Sequence, residues 1–152
     1  MYRRILVAID GSETSRRALD HALLLAVEQH AHVRIVHAIE WIEHMATPHP
    51  GGHPGDLARI SESEREDGQR LLADAKARVE AAGVETEFAL LEGKEPADKT
   101  ARLLVQDAGK WDADLIVIGT HGRTGLARFV LGSVAESVIR MAQRPVLLIH
   151  SN

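Results

Sequence analysis

The chain has 152 residues, 45% apolar and 26% charged, ordinary values for a globular chain long enough to bury one real core. A net charge of −4 and an aromatic share of 3% argue against a duplex-binding surface and against a base-stacking one, so no nucleic-acid partner is expected. Without cysteine there are no disulfides and no thiolate metal sites. No apolar run is long enough to span a bilayer, and the N-terminus enters a strand pattern with no signal-peptide core. The expectation is one cytoplasmic domain over 1–152.

Ile5–Ile9 is an apolar, β-branched run that predicts a first strand, ending at Asp10. Ser12 is placed to cap a helix whose apolar stripe is Ala18, Leu19, Ala22, Leu23, Ala26 and Val27. Val33–Ile39 predicts a second strand. From Trp41 to Gly55 the chain holds three prolines, three glycines and His44, His49 and His53, which predicts an irregular loop. A second helical stripe follows, Leu57, Ile60, Leu71, Ala75, Val79 and Ala82, with Gly83 suited to its left-handed end. Val84–Leu91 predicts a third strand. Pro96 suits the first turn of a third helix with Ala97, Ala101, Leu104, Val105 and Ala108 inward. Leu115–Ile118 and Val146–Ile149 predict the last two strands, with a fourth helix after Gly132-Ser133. This alternation of strands and helices, with continuously apolar strands, implies a parallel sheet covered on both faces. Right-handed crossovers make it a doubly wound α/β domain whose site lies beyond the carboxyl ends of the strands. Asp10, Ala38 and Gly119 stand at three of those ends.

The most informative stretch runs from Gly119 to Ser133, with spacing G-x2-G-x9-G-S between the fourth strand and the fourth helix. Glycine lets the main chain turn tightly and approach a ligand. A helix N-terminus adds unpaired amide donors and a partial positive charge, so the implied chemistry is phosphate binding. The dinucleotide and P-loop glycine patterns are both absent.

This spacing resembles the nucleotide-binding signature of the universal stress protein family, in its ATP-binding branch. The resemblance extends to Arg4–Ser12 as the opening strand with its terminal acid, to Ile35–Ala38, and to Pro145–Ile149 as the closing strand. Thr47–Gly55 is the least typical segment. The resemblance implies a five-stranded sheet of order 3-2-1-4-5 in the manner of the adenine nucleotide alpha hydrolases. It implies ATP as ligand, with Mg²⁺ or Mn²⁺ carried on the phosphates. Asp10 would stand beside the adenosine, with Ala8 and Ile9 lining the pocket and the Ala38 backbone touching adenine where the family more often has valine. Ile118, which leads into the loop, would belong to the nucleotide site as well. Gly119 and Gly122 would give backbone access to ribose and phosphates. Arg123 could add a charge-assisted hydrogen bond, and Gly132, Ser133 and Val134 would hold the phosphates. The family also implies a homodimer through antiparallel pairing of the last strand with its twin. Its role would be a regulatory or sensory module in a stress response, with a protein partner the sequence does not name.

Each feature has a plainer alternative. The glycines could serve packing alone, Asp10 a turn with Gly11, and His37 and His121 local hydrogen bonding. The loop histidines match no standard zinc spacing, and no metal ligands are assigned. No G-x-S-x-G elbow and no H-E-x-x-H appears. Where related pyrophosphatase-type enzymes carry S-G-G-x-D-S, this chain reads Asp10-Gly-Ser-Glu-Thr-Ser. No catalytic residues are assigned, and any ATP hydrolysis is expected to be slow. The alternatives are a slow ATPase or phosphotransferase using Ser133 or His121, and an interaction module with no need of nucleotide.

Overall fold

Strands and helices alternate along the chain as β1 (Arg4–Ala8), α1 (Glu13–Gln29), β2 (His32–Ile39), α2 (Pro54–Glu80), β3 (Thr86–Glu92), α3 (Thr100–Lys110), β4 (Leu115–Gly119), α4 (Ser133–Met141) and β5 (Val146–Ile149). The computed structural model describes residues 1–41, 54–121 and 131–150, the side chains of 54–58 excepted. The strands form one parallel sheet of order β3-β2-β1-β4-β5, as expected.

The strand sequences explain the layering. Ile5, Val7, Val33, Ile35, Leu115 and Val117 face α1 and α2. Leu6, Val36, Ile116 and Ile118 face α3 and α4. Both faces are covered, so successive residues in the middle of β1 and β4 are all buried, and Ile5–Ala8 and Leu115–Ile118 read as unbroken apolar runs. Ser12 caps α1, accepting a hydrogen bond from Ser15 N at 3.2 Å. His30 closes the helix in the left-handed conformation.

Several boundaries differ from the sequence expectation. Val27 is 53% exposed, because it sits roughly 100° around the helix from the centre of the buried stripe. The sheet ladder of β3 begins at Thr86, with Val84 packed on the core just before it. Pro54 and Gly55 open α2 rather than ending the loop. This helix has 27 residues, about 40 Å, whereas the strand it packs against spans about 26 Å. Its first turns therefore overhang the sheet, and Ile60 is 48% exposed. Gly83 has the expected left-handed φ of +65°, three residues past the end of α2. Helix α3 begins at Thr100, not near Pro96, and Ala97 is exposed. A turn precedes it, and the Glu40 carboxylate fixes its start by accepting from Thr100 N at 2.8 Å. Among the described residues no helix is long and apolar enough to cross a membrane.

Candidate functional site

The strand order reverses between β1 and β4, and a cavity of about 440 Å³ opens there, beyond the carboxyl ends of the strands. Ala8, Ile9 and Asp10 line it from the end of β1, Ala38 from β2, and Ile118 and Gly119 from β4. Gly132, Ser133 and Val134 complete it at the start of α4. Nine of the predicted site residues thus share one cavity; Gly122 and Arg123 lie outside the described residues, as do His44, His49 and His53. The sequence reading missed Glu40, Glu64, Thr100 and Leu104, which also line it. Glu64 arrives on the overhanging part of α2, and no local pattern could place it there.

Three helices present their N-termini around this cavity, and their caps differ. At α1 the Ser12 hydroxyl fills the capping position, while Asp10 Oδ1 accepts from Ser12 N at 2.9 Å across the turn made by Gly11 at φ +82°. At α3 the Glu40 carboxylate takes the Thr100 amide. At α4 the capping residue is Gly132, which has no side chain, and no side chain among the described residues accepts from the first turn. Gly132 N is held by Thr120 O at 2.7 Å, and Glu136 N bonds Gly132 O at 2.9 Å. The amides between them, Ser133 to Ala135, precede any helical carbonyl partner. The cavity therefore has a donor-rich, partly positive end at α4 and an acidic end at Asp10, Glu40 and Glu64.

The two described glycines of the motif have separate reasons. A Cβ on Gly119 would lie 2.6 Å from Thr14 Oγ1 and 2.9 Å from the Thr14 carbonyl carbon, so close packing of α1 demands glycine there by itself. A Cβ on Gly132 would lie 2.8 Å from Thr120 O. Its φ is −63°, so steric room and not a left-handed backbone selects glycine.

At β2 the ladder opens. Ile9 N donates to Val36 O at 2.9 Å, and the next rung would run from Ala38 N to Ile9 O. His37 Nδ1 takes that carbonyl instead, at 2.8 Å, so His37 is a satisfied buried sheet residue whose proton sits on Nδ1. The alternation of the strand turns the peptide groups of Ala38 toward the gap left where β1 ends, and this gap is part of the cavity. His121 is similarly held. Thr120 Oγ1 donates to Ile149 O at 3.3 Å and accepts from His121 Nδ1 at 2.9 Å, which leaves Nε2 buried without a partner among the described residues. No group of three His, Asp or Glu side chains is arranged to hold a metal among the described residues.

The model of the universal stress protein family matches residues 1–150. The chain belongs to the universal stress protein family. Universal stress protein MJ0531 of Methanocaldococcus jannaschii is 39% identical over 149 residues, covering 98% of this chain and 82% of that relative. The universal stress protein from Archaeoglobus fulgidus in complex with dAMP is 31% identical, with a TM-score of 0.62 over 97% of this chain and 98% of that one. A universal stress protein in complex with cAMP is 27% identical, with a TM-score of 0.71 over 99% of both chains. In this family member the glycine spacing, the strand order and the cavity occur together.

Proposed function

We propose that the cavity binds an adenine nucleotide, ATP, and that the protein is a nucleotide-responsive regulatory module. The observation that carries this reading is the N-terminus of α4, capped by no side chain among the described residues, opening on a cavity also lined by Asp10 and Ala38. Phosphates would sit on the amides of Ser133 and Val134 and on the Ser133 hydroxyl, with Mg²⁺ or Mn²⁺ accompanying them. Asp10 would take the ribose hydroxyls, and the Ala38 peptide groups would read the adenine edge. The relatives bound to cAMP and dAMP support an adenine ligand. For ATP to act as a signal, two states of the protein must differ in ATP affinity.

Calorimetry with ATP and GTP tests the assignment. ATP is expected to bind the tighter of the two, and equal or tighter GTP binding would reject the adenine reading.

The module would act as a homodimer through β5, an edge strand of the sheet. Pro145 O accepts from Ile116 N and Ile149 O from Thr120 N, so the odd-numbered residues of β5 face β4. Val146 and Leu148 then turn their peptide groups outward. Leu148→Pro should shift the protein to monomer with its fold retained, whereas Leu147→Pro should break the ladder to β4. Light scattering with circular dichroism reads both. A wild type that is monomeric at micromolar concentration removes this interface.

A further inference from the structure

Thr14 lies in the first turn of α1, 4% exposed, and its hydroxyl does not serve its own helix. It donates to His121 O, at the start of the glycine loop. Ser12 Oγ stands 3.4 Å from the same carbonyl and 3.2 Å from Thr14 Oγ1, a longer second donor whose capping of α1 uses it only as an acceptor. Two residues before His121, Gly119 packs against the Thr14 side chain and backbone with no room for a Cβ. Between them, Thr120 is fully buried, donates its amide to Ile149 O at 2.9 Å, and offers its carbonyl to Gly132 N.

The segment from 119 to 121 is thus gripped from three directions. Helix α1 holds it through Thr14, β5 through Ile149, and α4 through Gly132. The last two grips use backbone atoms of the partner element. The first uses side-chain hydroxyls, Thr14 at short range and Ser12 at longer range, and with them ties the two ends of the cavity together beyond the β1–β4 ladder. Asp10 and Ser12 belong to the same turn as Thr14, whereas the open amides of α4 are fixed relative to Thr120. The fine register between the ribose-side acid and the phosphate-side donors therefore depends on the Thr14 hydroxyl, the shortest of the side-chain links.

We propose that Thr14 is a positioning residue that sets the phosphate-binding end of the cavity against its nucleoside end, through the carbonyl of His121. The proposal rests on the nucleotide reading above. It adds that the glycine loop is not self-sufficient: phosphate affinity requires a hydroxyl at position 14. Thr14 touches no ligand in this scheme, so its effect should follow the number of groups that must be spanned. ATP reaches both ends of the cavity and needs the register; adenosine occupies one end and does not.

Thr14→Ser and Thr14→Ala form a pair that differs by the hydroxyl at nearly constant volume, and Thr14→Val supplies the isosteric control. ATP affinity by calorimetry should fall roughly tenfold in the alanine and valine variants, as for one buried hydrogen bond, and stay within about threefold in the serine variant. Adenosine affinity, followed by NMR titration, should be the same in all four proteins. If the wild type binds neither ligand, the nucleotide reading fails and this one with it. If the wild type binds ATP and Thr14→Ala matches Thr14→Ser, the proposal is overturned while the nucleotide site stands. Equal losses for ATP and adenosine, or a failure of both hydroxyl-free variants to fold, would make Thr14 a structural residue and overturn it as well.

Discussion

The two ends of the sheet are finished in opposite ways. Toward the amino ends of the strands, most polar side chains are paired, with the buried Arg4 Nε the exception among the described residues. Arg34 on β2 donates to both oxygens of Asp107 on α3, at 2.8 and 3.1 Å, and to Glu87 on β3 at 2.9 Å. Glu87 also accepts from Trp111 Nε1 at 2.9 Å, and the Arg4 guanidinium lies 4.3 Å over the Trp111 ring. Asp114 accepts from the amides of Arg3 and Arg4. At the carboxyl ends the caps of α1 and α3 are supplied, while among the described residues no side chain caps α4. A helix end left without a protein partner is a donor set available to a ligand, and the closed end supplies stability that the open end forgoes.

Gly132→Val should break the open end with the largest effect. Its Cβ would meet Thr120 O, displacing the first turn of α4 from the segment that fixes it. Losing two charge-assisted hydrogen bonds would lower ATP affinity about a hundredfold. Calorimetry reads this loss, with circular dichroism confirming the fold; a folded variant of wild-type affinity would contradict the phosphate cradle.

Asp107→Ala should break the closed end instead. It leaves the Arg34 guanidinium, whose side chain is 18% exposed, with Glu87 as its remaining carboxylate partner, so unfolding in urea should show a loss of about 2 kcal/mol, below the value for a fully buried pair. ATP affinity should not change. A coupled loss of affinity would show that the two ends are not independent.

The smallest effect is a titration. The Trp111 indole N–H bonded to Glu87 holds its carboxyl below the ordinary value of 4.5, with Arg34 adding to the shift. A carboxyl lowered in the folded state contributes stability that is fully present above pH 4.5 and fades as pH falls through its folded value. Glu87→Gln should therefore flatten part of the acid limb of a stability curve and leave the region above pH 6 parallel to wild type. An unchanged acid limb would remove Glu87 from the network's energetics.

Legibility in the sequence followed the range of the interactions. The strands were readable from their apolar, β-branched runs, most clearly in β1 and β4, which bury both faces and so cannot alternate, and their order because the family resemblance supplied it. Asp10, Ala38 and the Gly132-Ser133 pair were readable because strand ends and a helix start are marked locally. Glu64 was not, since its place depends on how far α2 outruns the sheet. The start of α3 was misjudged from Pro96, because Glu40, sixty positions before Thr100, decides it. Gly119 shows the limit most clearly. Its motif position suggests ligand access, yet the contact with Thr14 would require glycine in a protein that bound nothing.

The imidazole of His37 occupies the carbonyl that the next rung of the β1–β2 ladder would use. The sheet can thus be unzipped one step early with no carbonyl stranded at the tear. A residue at this position unable to donate would leave Ile9 O open to the Ala38 amide, and the zipper could run on toward the cavity. The width of the opening is then set by the reach of one side chain, and since His37 also lines the cavity, sequence changes at position 37 would tune both its aperture and its wall.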